Sequence, residues 1–504
     1  MRRIAWVAAA AAMLVTGRAA AQPAAAPAVR VTVDSGVLVG AADDTAKVFR
    51  NIPYAAPPVG PLRWKPPQPA PRWTGARPAV AAGPSCPQPM NADGTPNSGG
   101  ANGPTSEDCL QLNVFAPKAA KQAPVMVWIH GGSNRTGAGW IYDGSNFARD
   151  GVVVVSINYR LGALGYFAHP ALTQAAGTEP VGNYGLMDQI AALKWVQRNI
   201  AAFGGDPANV TVFGESAGGM DILALLATPA ANGLYHKAIV ESGGGWFPPT
   251  TLATKEAADA ALLAKAGIAA ATPEALRAIP VEKLVPLSGN YGPFIDGRLM
   301  TRTASQAMAE GRFADVPLII GSNSGEDSLM GPGPLSPQVL AMIPAAARAV
   351  YTAEAAAGDE TLARAVFTDR IMGGAARWTA ARAASGQPAW LYYFSYVGDR
   401  FRPAKTRASH ADEIQYVWEY WGRRTPMNVV SDEDRRMASL MHACWVAFAK
   451  TAKPACGADA WPAYDPAKDQ LMEFGASSGV RTHLRKAQLD AQEAAALPTL
   501  GLGQ

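Results

Sequence analysis

The sequence predicts an α/β fold with a large, mostly parallel central sheet flanked by helices. Two observations predict it. Short apolar runs without polar alternation recur along the chain, and helical patterns lie between them. A strand without alternation is one buried on both faces, as in a parallel sheet covered by helices. Strand and helix taking turns then define the class.

The elements follow in order. Arg2 and Arg3 precede an apolar run from Ile4 to Val15, and Ala19-Ala20-Ala21 is a small-residue cleavage pattern. Residues 1–21 therefore read as a secretory signal, with the mature chain starting at Gln22. The run is shorter than the roughly 20 residues a membrane-spanning helix needs. No later segment is long and apolar enough either, so the expected mature protein is soluble and exported, to the periplasm or beyond. At the usual length of about 150 residues per domain the remaining chain suggests three domains, although large single α/β domains break that rule.

Arg50 to Pro71 is dense in proline, which excludes helix and central strand, and reads as an ordered loop wrapping the domain. Met90 to Gly103 reads as a mobile loop tip. Buried strands are expected at Val125 to Ile129, Val152 to Ile157, Val210 to Phe213, Ala238 to Val240, Val316 to Ile320 and Trp390 to Tyr396. From Leu186 to Phe203, apolar residues at 186, 190, 193, 196 and 200 form one helical stripe. Leu335 to Ala376 is Ala-rich and predicts a helical layer over the sheet.

Charge and cysteine content narrow the function. The chain has 44 Lys and Arg against 40 Asp and Glu, a formal +4, and the basic residues are scattered. Nothing in this favours nucleic acid or a lipid surface as partner. Cys86, Cys109, Cys444 and Cys456 are an even set in an exported chain, which suggests two disulfides. Three pairings exist, and the local one closes two short loops; four buried thiols are the alternative. Zinc is disfavoured, because there is no Cys-x-x-Cys spacing and no histidine cluster nearby.

The stretch Asn209 to Gly219, NVTVFGESAGG, places Ser216 between glycines directly after a strand. Gly-x-Ser-x-Gly between strand and helix is a nucleophile-elbow pattern. Side chains at 214 and 218 would clash across so tight a turn. The following helix, Ser216 to about Thr228, aims the positive end of its dipole at a developing oxyanion. A serine hydroxyl needs a base, and in this architecture the chain order is serine, acid, histidine. Of His236, His410, His442 and His483, only His410 lies on a loop after a strand. The acid is sought at another strand end, where Glu326 and Asp327 are neighbours; Asp296 is a weaker candidate and Asp221 is too local. His130-Gly131-Gly132, after the Val125 strand, is suited to an oxyanion loop. The hole would be the N–H groups of Gly132, Ser133 and Ala217.

These motifs resemble the type-B carboxylesterases, the cholinesterase and para-nitrobenzyl esterase branch of the α/β-hydrolases. GESAGG, EDCLQLNVFAP, IPYAAPPVGPLRWKPP, NYRLGALGYF, GNYGLMDQ, GSNSGED and HADEIQYVW fall in the family's order over nearly all of the mature chain. The resemblance implies a single large domain over residues 22–504, a gorge leading to Ser216, Glu326 as the acid, and no metal or organic cofactor. It also implies a Cys86–Cys109 disulfide, ion pairs Arg63–Glu107 and Arg160–Asp188, and supporting places for Glu215 and Ser242 behind the triad. Cys444–Cys456 rests on spacing alone. Three positions depart from the pattern: Ser133 follows HGG where Gly or Ala is usual, Asp327 stands where Gly is frequent, and Asp221 replaces a small residue. A second carboxylate at 327 raises an acid's pKa where both are buried.

The expected activity is hydrolysis of small-molecule carboxylic esters through a Ser216–His410–Glu326 acyl-enzyme route. Trp140, Tyr142, Trp246, Phe247 and Phe294 are candidates for the pocket lining. A carbamate, amide or toxin-ester hydrolase would use the same triad. A non-catalytic binding protein on this fold would have lost the serine, and a penicillin-recognising enzyme would need Lys three residues after its serine, which no serine here has.

Overall fold

The computed structural model describes residues 27–341, 343–421, 425–457 and 460–502; the leader expected over 1–21 lies outside them. Among the described residues, thirteen strands form one sheet. Its antiparallel start comprises β1 (Ala28–Val33), β2 (Gly36–Ala42) and β3 (Ala46–Pro53), with β4 (Ala76–Pro78) beside β2. β5 (Gln111–Pro117) runs antiparallel to both β3 and β7 (Val153–Ile157). The parallel centre continues through β6 (Ala123–Ile129), β8 (Gly205–Glu215), β9 (Lys237–Glu241), β10 (Leu318–Asn323), β11 (Ala389–Phe394) and β12 (Gln470–Phe474). β13 (Gly479–Thr482) closes the far edge antiparallel to β12. The spatial order is β1-β2-β3-β5-β7-β6-β8-β9-β10-β11-β12-β13.

The central strands lack alternation because both of their faces are covered. Val125, Val127, Ile129, Val210, Val212, Val240, Leu318 and Ile320 face one apolar core. Met126, Trp128, Phe213, Ile239, Ile319 and Trp390, the residues between them, face the other. This is the two-residue period of a strand with apolar partners on each side. The helices Tyr184–Asn199 and Ala217–Leu226 cover the first face. The second is covered by the helix Asp432–Thr451, through Met437, Met441, Trp445 and Phe448. Asp432–Thr451 starts with a capping box between Ser431 and Asp434.

Three segments differ from expectation. Arg50 to Pro53 belongs to strand β3, because the prolines begin only at Pro53 and leave the preceding N–H groups free to pair. Met90 to Gly103 is not an open tip. Asn97 is buried and donates to Gln88 Oε1 (2.8 Å) and the Pro89 carbonyl (2.9 Å), so the loop is tied down on itself. The Ala-rich segment forms short helices whose Tyr351, Leu362 and Val366 make a small separate core. Among the segment's described residues, only the start of the helix Gly374–Ala383 joins the main core, through Ala375 and Ala376. Both disulfides, Cys86–Cys109 and Cys444–Cys456, are formed.

Parallel strands end on the same edge, and their loops meet there. β6 delivers His130-Gly131-Gly132, β8 delivers Ser216, β10 delivers Glu326, and the loop after β11 delivers His410. A bridge between Gly325 and Ser409 ties the last two loops together.

Candidate active site

Ser216 has φ 57° and ψ −124°, a conformation that costs a non-glycine residue about 1–3 kcal/mol. The surroundings hold it there. Its N–H donates to the Glu241 carbonyl at 2.8 Å, and its carbonyl accepts from Met220 N–H at 2.9 Å. A Cβ on Gly214 would stand 2.5 Å from the Ile129 carbonyl oxygen, and one on Gly218 only 2.0 Å from it. The two glycines are therefore required because the turn presses against the end of β6.

The loop after β6 abuts the serine. A Cβ on Gly131 would lie 3.0 Å from Ser216 Cβ. Gly132 and Ser133 have φ 103° and 57°, and the Gly132 carbonyl turns back to accept from the N–H groups of Arg135 and Thr136, both at 3.0 Å. Ser133 is exposed and Ala217 buried. A buried polar network braces the loop. Tyr159 hydroxyl donates to the His130 carbonyl (2.7 Å) and Asn134 Oδ1 (3.0 Å), and Asn134 Nδ2 donates to Asp221 Oδ1 (3.0 Å). Asp221 also accepts from Tyr166 (3.1 Å) and Gln189 (2.5 Å). Burial pushes the Asp221 carboxyl up to about 7, against these three donors. Asp221, read from sequence only as a departure, thus ties the nucleophile helix to the glycine loop. Burial also lowers His130 to about 4, so its ring is neutral.

His410 Nδ1 lies 2.5 Å from Glu326 Oε2, and Glu326 Oε1 accepts the Asn323 N–H at 2.7 Å. Glu326 is fully buried. Asp327, its neighbour, turns away to Arg407 (2.9 Å), Arg364 (3.8 Å) and Thr368. Asp296 instead accepts backbone N–H groups of residues 298 to 300 in its own turn. The other histidines stand apart: His236 Nδ1 accepts from Val210 N–H, His442 bonds the Val417 carbonyl and Asp150, and His483 is exposed.

Glu215 Oε1 is 3.1 Å from His410 Nε2. Two further buried glutamates complete a cluster that sequence reasoning missed. Glu241 accepts from Trp445 Nε1 at 2.7 Å, and Glu413 accepts from Asn323. Burial pushes Glu241 up to about 8 and Glu413 well above its usual range, so both lean toward the protonated form. For His410, burial favours the neutral ring, but Glu215 and then Glu326 outweigh it and raise the imidazole pKa. Ser242, with φ 46°, is fully buried at the end of β9.

Of the aromatic candidates, Trp246, Phe247 and Phe294 line a cavity of about 610 Å³ beside the nucleophile helix. Trp140 and Tyr142 do not. Trp140 donates to Ser85 Oγ, and Tyr142 packs on Trp128 and Trp418 of the sheet's second core. Asp150, Glu419 and His442 bring ligand-type atoms within 4.8 Å of one another, but Arg149 already bridges both carboxylates at 2.6 Å. No helix among the described residues is long and apolar enough to cross a membrane.

A mixed sheet of this order, flanked by helices and carrying a strained serine where a central strand turns into a helix, defines the α/β-hydrolase class. The chain belongs to the carboxylesterase family, whose profile matches residues 27–492. It is similar to fumonisin B1 esterase of Sphingopyxis macrogoltabida, at 36% identity over 88% of this chain and 86% of that protein. It is likewise similar to para-nitrobenzyl esterase of Bacillus subtilis, at 37% identity over 86% and 92%. A solved PNB esterase superposes with a TM-score of 0.80 at 32% identity, covering 91% of this chain and 99% of that one. The chain is a carboxylic ester hydrolase.

Proposed function

We propose that residues 22–504 form one exported catalytic domain that cleaves carboxylic esters through a Ser216 acyl-enzyme, without metal or organic cofactor. The observation that carries this reading is the 2.5 Å contact of His410 Nδ1 with buried Glu326, on loops bridged at the edge where Ser216 is held strained. Ser216 Oγ attacks the ester carbonyl and His410 Nε2 takes its proton. Glu326 orients the ring and stabilises the imidazolium. The N–H groups of Gly132, Ser133 and Ala217 receive the oxyanion, and each such donor is worth about 10²–10³ in turnover. The tetrahedral adduct collapses as His410 protonates the leaving alcohol. Water, deprotonated by His410, then releases the acid and regenerates Ser216.

A fluorophosphonate probe tests the assignment. It is expected to label the full chain once, on the peptide containing Ser216, with loss of p-nitrophenyl ester hydrolysis in proportion to labelling. Labelling elsewhere, or full activity after labelling of Ser216, overturns it.

His410 must be neutral to accept a proton, so kcat/KM rises with pH through its pKa. Glu215 favours the charged ring. Glu215→Gln removes that carboxylate and is expected to move the ascending limb to lower pH. An unmoved limb, or one moved to higher pH, rejects the coupling.

A further inference from the structure

The loop that carries Glu326 and the loop that carries His410 also meet beyond those two side chains. Gly325 N–H donates to the Ala408 carbonyl at 2.7 Å, Ala408 N–H to Ser324 Oγ at 2.9 Å, and His410 N–H to Ser328 Oγ at 2.9 Å. A Cβ on Gly325 would stand 2.8 Å from the Ala408 carbonyl oxygen, so the two backbones touch. One further contact joins the loops, and it pairs two full charges. Arg407 Nη2 lies 2.9 Å from Asp327 Oδ2. Neither residue has a part in the acyl-enzyme route.

Asp327 sits on a single turn. Glu326–Met330 is a 3₁₀ helix, in which successive side chains point about 120° apart. So short a turn has few bonds of its own to fix its rotation, so its neighbours must fix it. The anchors lie on the Asp327 side. Its Oδ2 meets Arg407 and, at 3.8 Å, Arg364, and its N–H donates to Thr368 Oγ1 at 3.1 Å. Arg364 reaches on to the carbonyls of Gly331 (3.1 Å) and Gly333 (2.8 Å), which close the same loop. Glu326 itself is held by Asn323 of its own loop through Oε1, and its Oε2 meets His410. The direction of Glu326 therefore follows from where Asp327 is drawn.

We propose that Asp327 and Arg407 are positioning residues of the triad: their ion pair locks the turn in the rotation that presents Glu326 to His410. The Arg407 side chain is 44% exposed and that of Asp327 8%. A pair open to water on one side adds little to global stability. Its effect is local, because a misplacement of about 1 Å at a reacting group can cost about 10²-fold in rate. Salt screens such a pair, whereas Glu326 and Glu215 beside His410 are buried and screened much less.

This inference rests on the Ser216–His410–Glu326 reading, and the test separates the two. The full mature chain is assayed on p-nitrophenyl butyrate, with the rate of fluorophosphonate labelling and the thermal midpoint measured beside it. Arg407→Gln is expected to lower kcat about tenfold with KM nearly unchanged, to slow labelling of Ser216 by a similar factor, and to leave the midpoint almost unmoved. Arg407→Lys is expected to recover most of the loss. About 1 M NaCl is expected to bring the wild-type kcat down toward that of Arg407→Gln and to leave the variant unchanged. Arg407→Gln combined with Asp327→Asn is expected to be no slower than the slower single variant, since both remove one pair. A kcat within about twofold of the wild type in Arg407→Gln overturns the inference while the esterase reading stands. So does a double variant that loses the product of the two single losses. A wild type inert on the ester and unlabelled by the fluorophosphonate overturns the esterase reading itself.

Discussion

Ser216→Ala is expected to lower kcat/KM for p-nitrophenyl esters by about 10⁴–10⁶-fold, a loss of about 5–8 kcal/mol of transition-state stabilisation. On the proposed mechanism the loss is this large because serine and histidine act as one unit; without Oγ, His410 would have no proton to take. The fold should survive. Alanine keeps the Cβ that the elbow already accommodates at φ 57°, and the backbone bonds to Glu241 and Met220 involve no side chain. The check is steady-state kinetics beside thermal unfolding. A folded variant with activity within tenfold of the wild type would sink the assignment of Ser216.

Asp188→Ala is expected to destabilise the protein by about 3–5 kcal/mol. Arg160 donates to Asp188 through Nε (2.8 Å), Nη2 (2.7 Å) and its backbone N–H (3.0 Å). The two side chains are 3% and 0% exposed. Removing the carboxylate strands a guanidinium in the core, its remaining side-chain hydrogen bond being to the Lys65 carbonyl. The pair also fastens the helix Tyr184–Asn199 to the segment after β7, where Tyr159 supports the glycine loop, so activity is expected to fall earlier on heating. The measurement is the denaturant midpoint together with the rate of thermal inactivation. The double variant Arg160→Met, Asp188→Leu is expected to lose far less, since it removes both desolvation costs. If the single variant is as stable as the double, the stranded charge is not the cause.

The legible parts of this molecule share one physical feature. Gly214, Gly218 and Gly131 answer to backbone atoms close by, and no other residue type fits there, so the motif is written in residue identity. The parallel strands β6 to β11 were legible for a related reason, because burial on both faces removes polar residues from the run. The half-exposed strands β1 and β2 escaped, since such strands carry a weaker pattern.

Choosing between neighbours was a different problem. Glu326 and Asp327 have the same chemistry, and family resemblance, not spacing, favoured the first. In the structure Arg407 and Arg364, both remote in sequence, draw Asp327 aside, while the Asn323 N–H fixes Glu326. The aromatic residues were equally ambiguous, because a ring carries no mark of the wall it will join. Packing sends Tyr142 to Trp128 and Trp418 and leaves Trp246 and Phe294 at the cavity.

The sequence by itself determined the fold class, the elbow at Ser216, the glycine loop and His410, because these depend on short-range backbone geometry and on the burial of whole strands. Only the tertiary structure decided which carboxylate meets His410, how Asp221 and Asn134 brace the loop, and which cations hold Asp327. Those outcomes depend on charges and hydrogen bonds between residues far apart in the chain, whose strength is set by distance and burial.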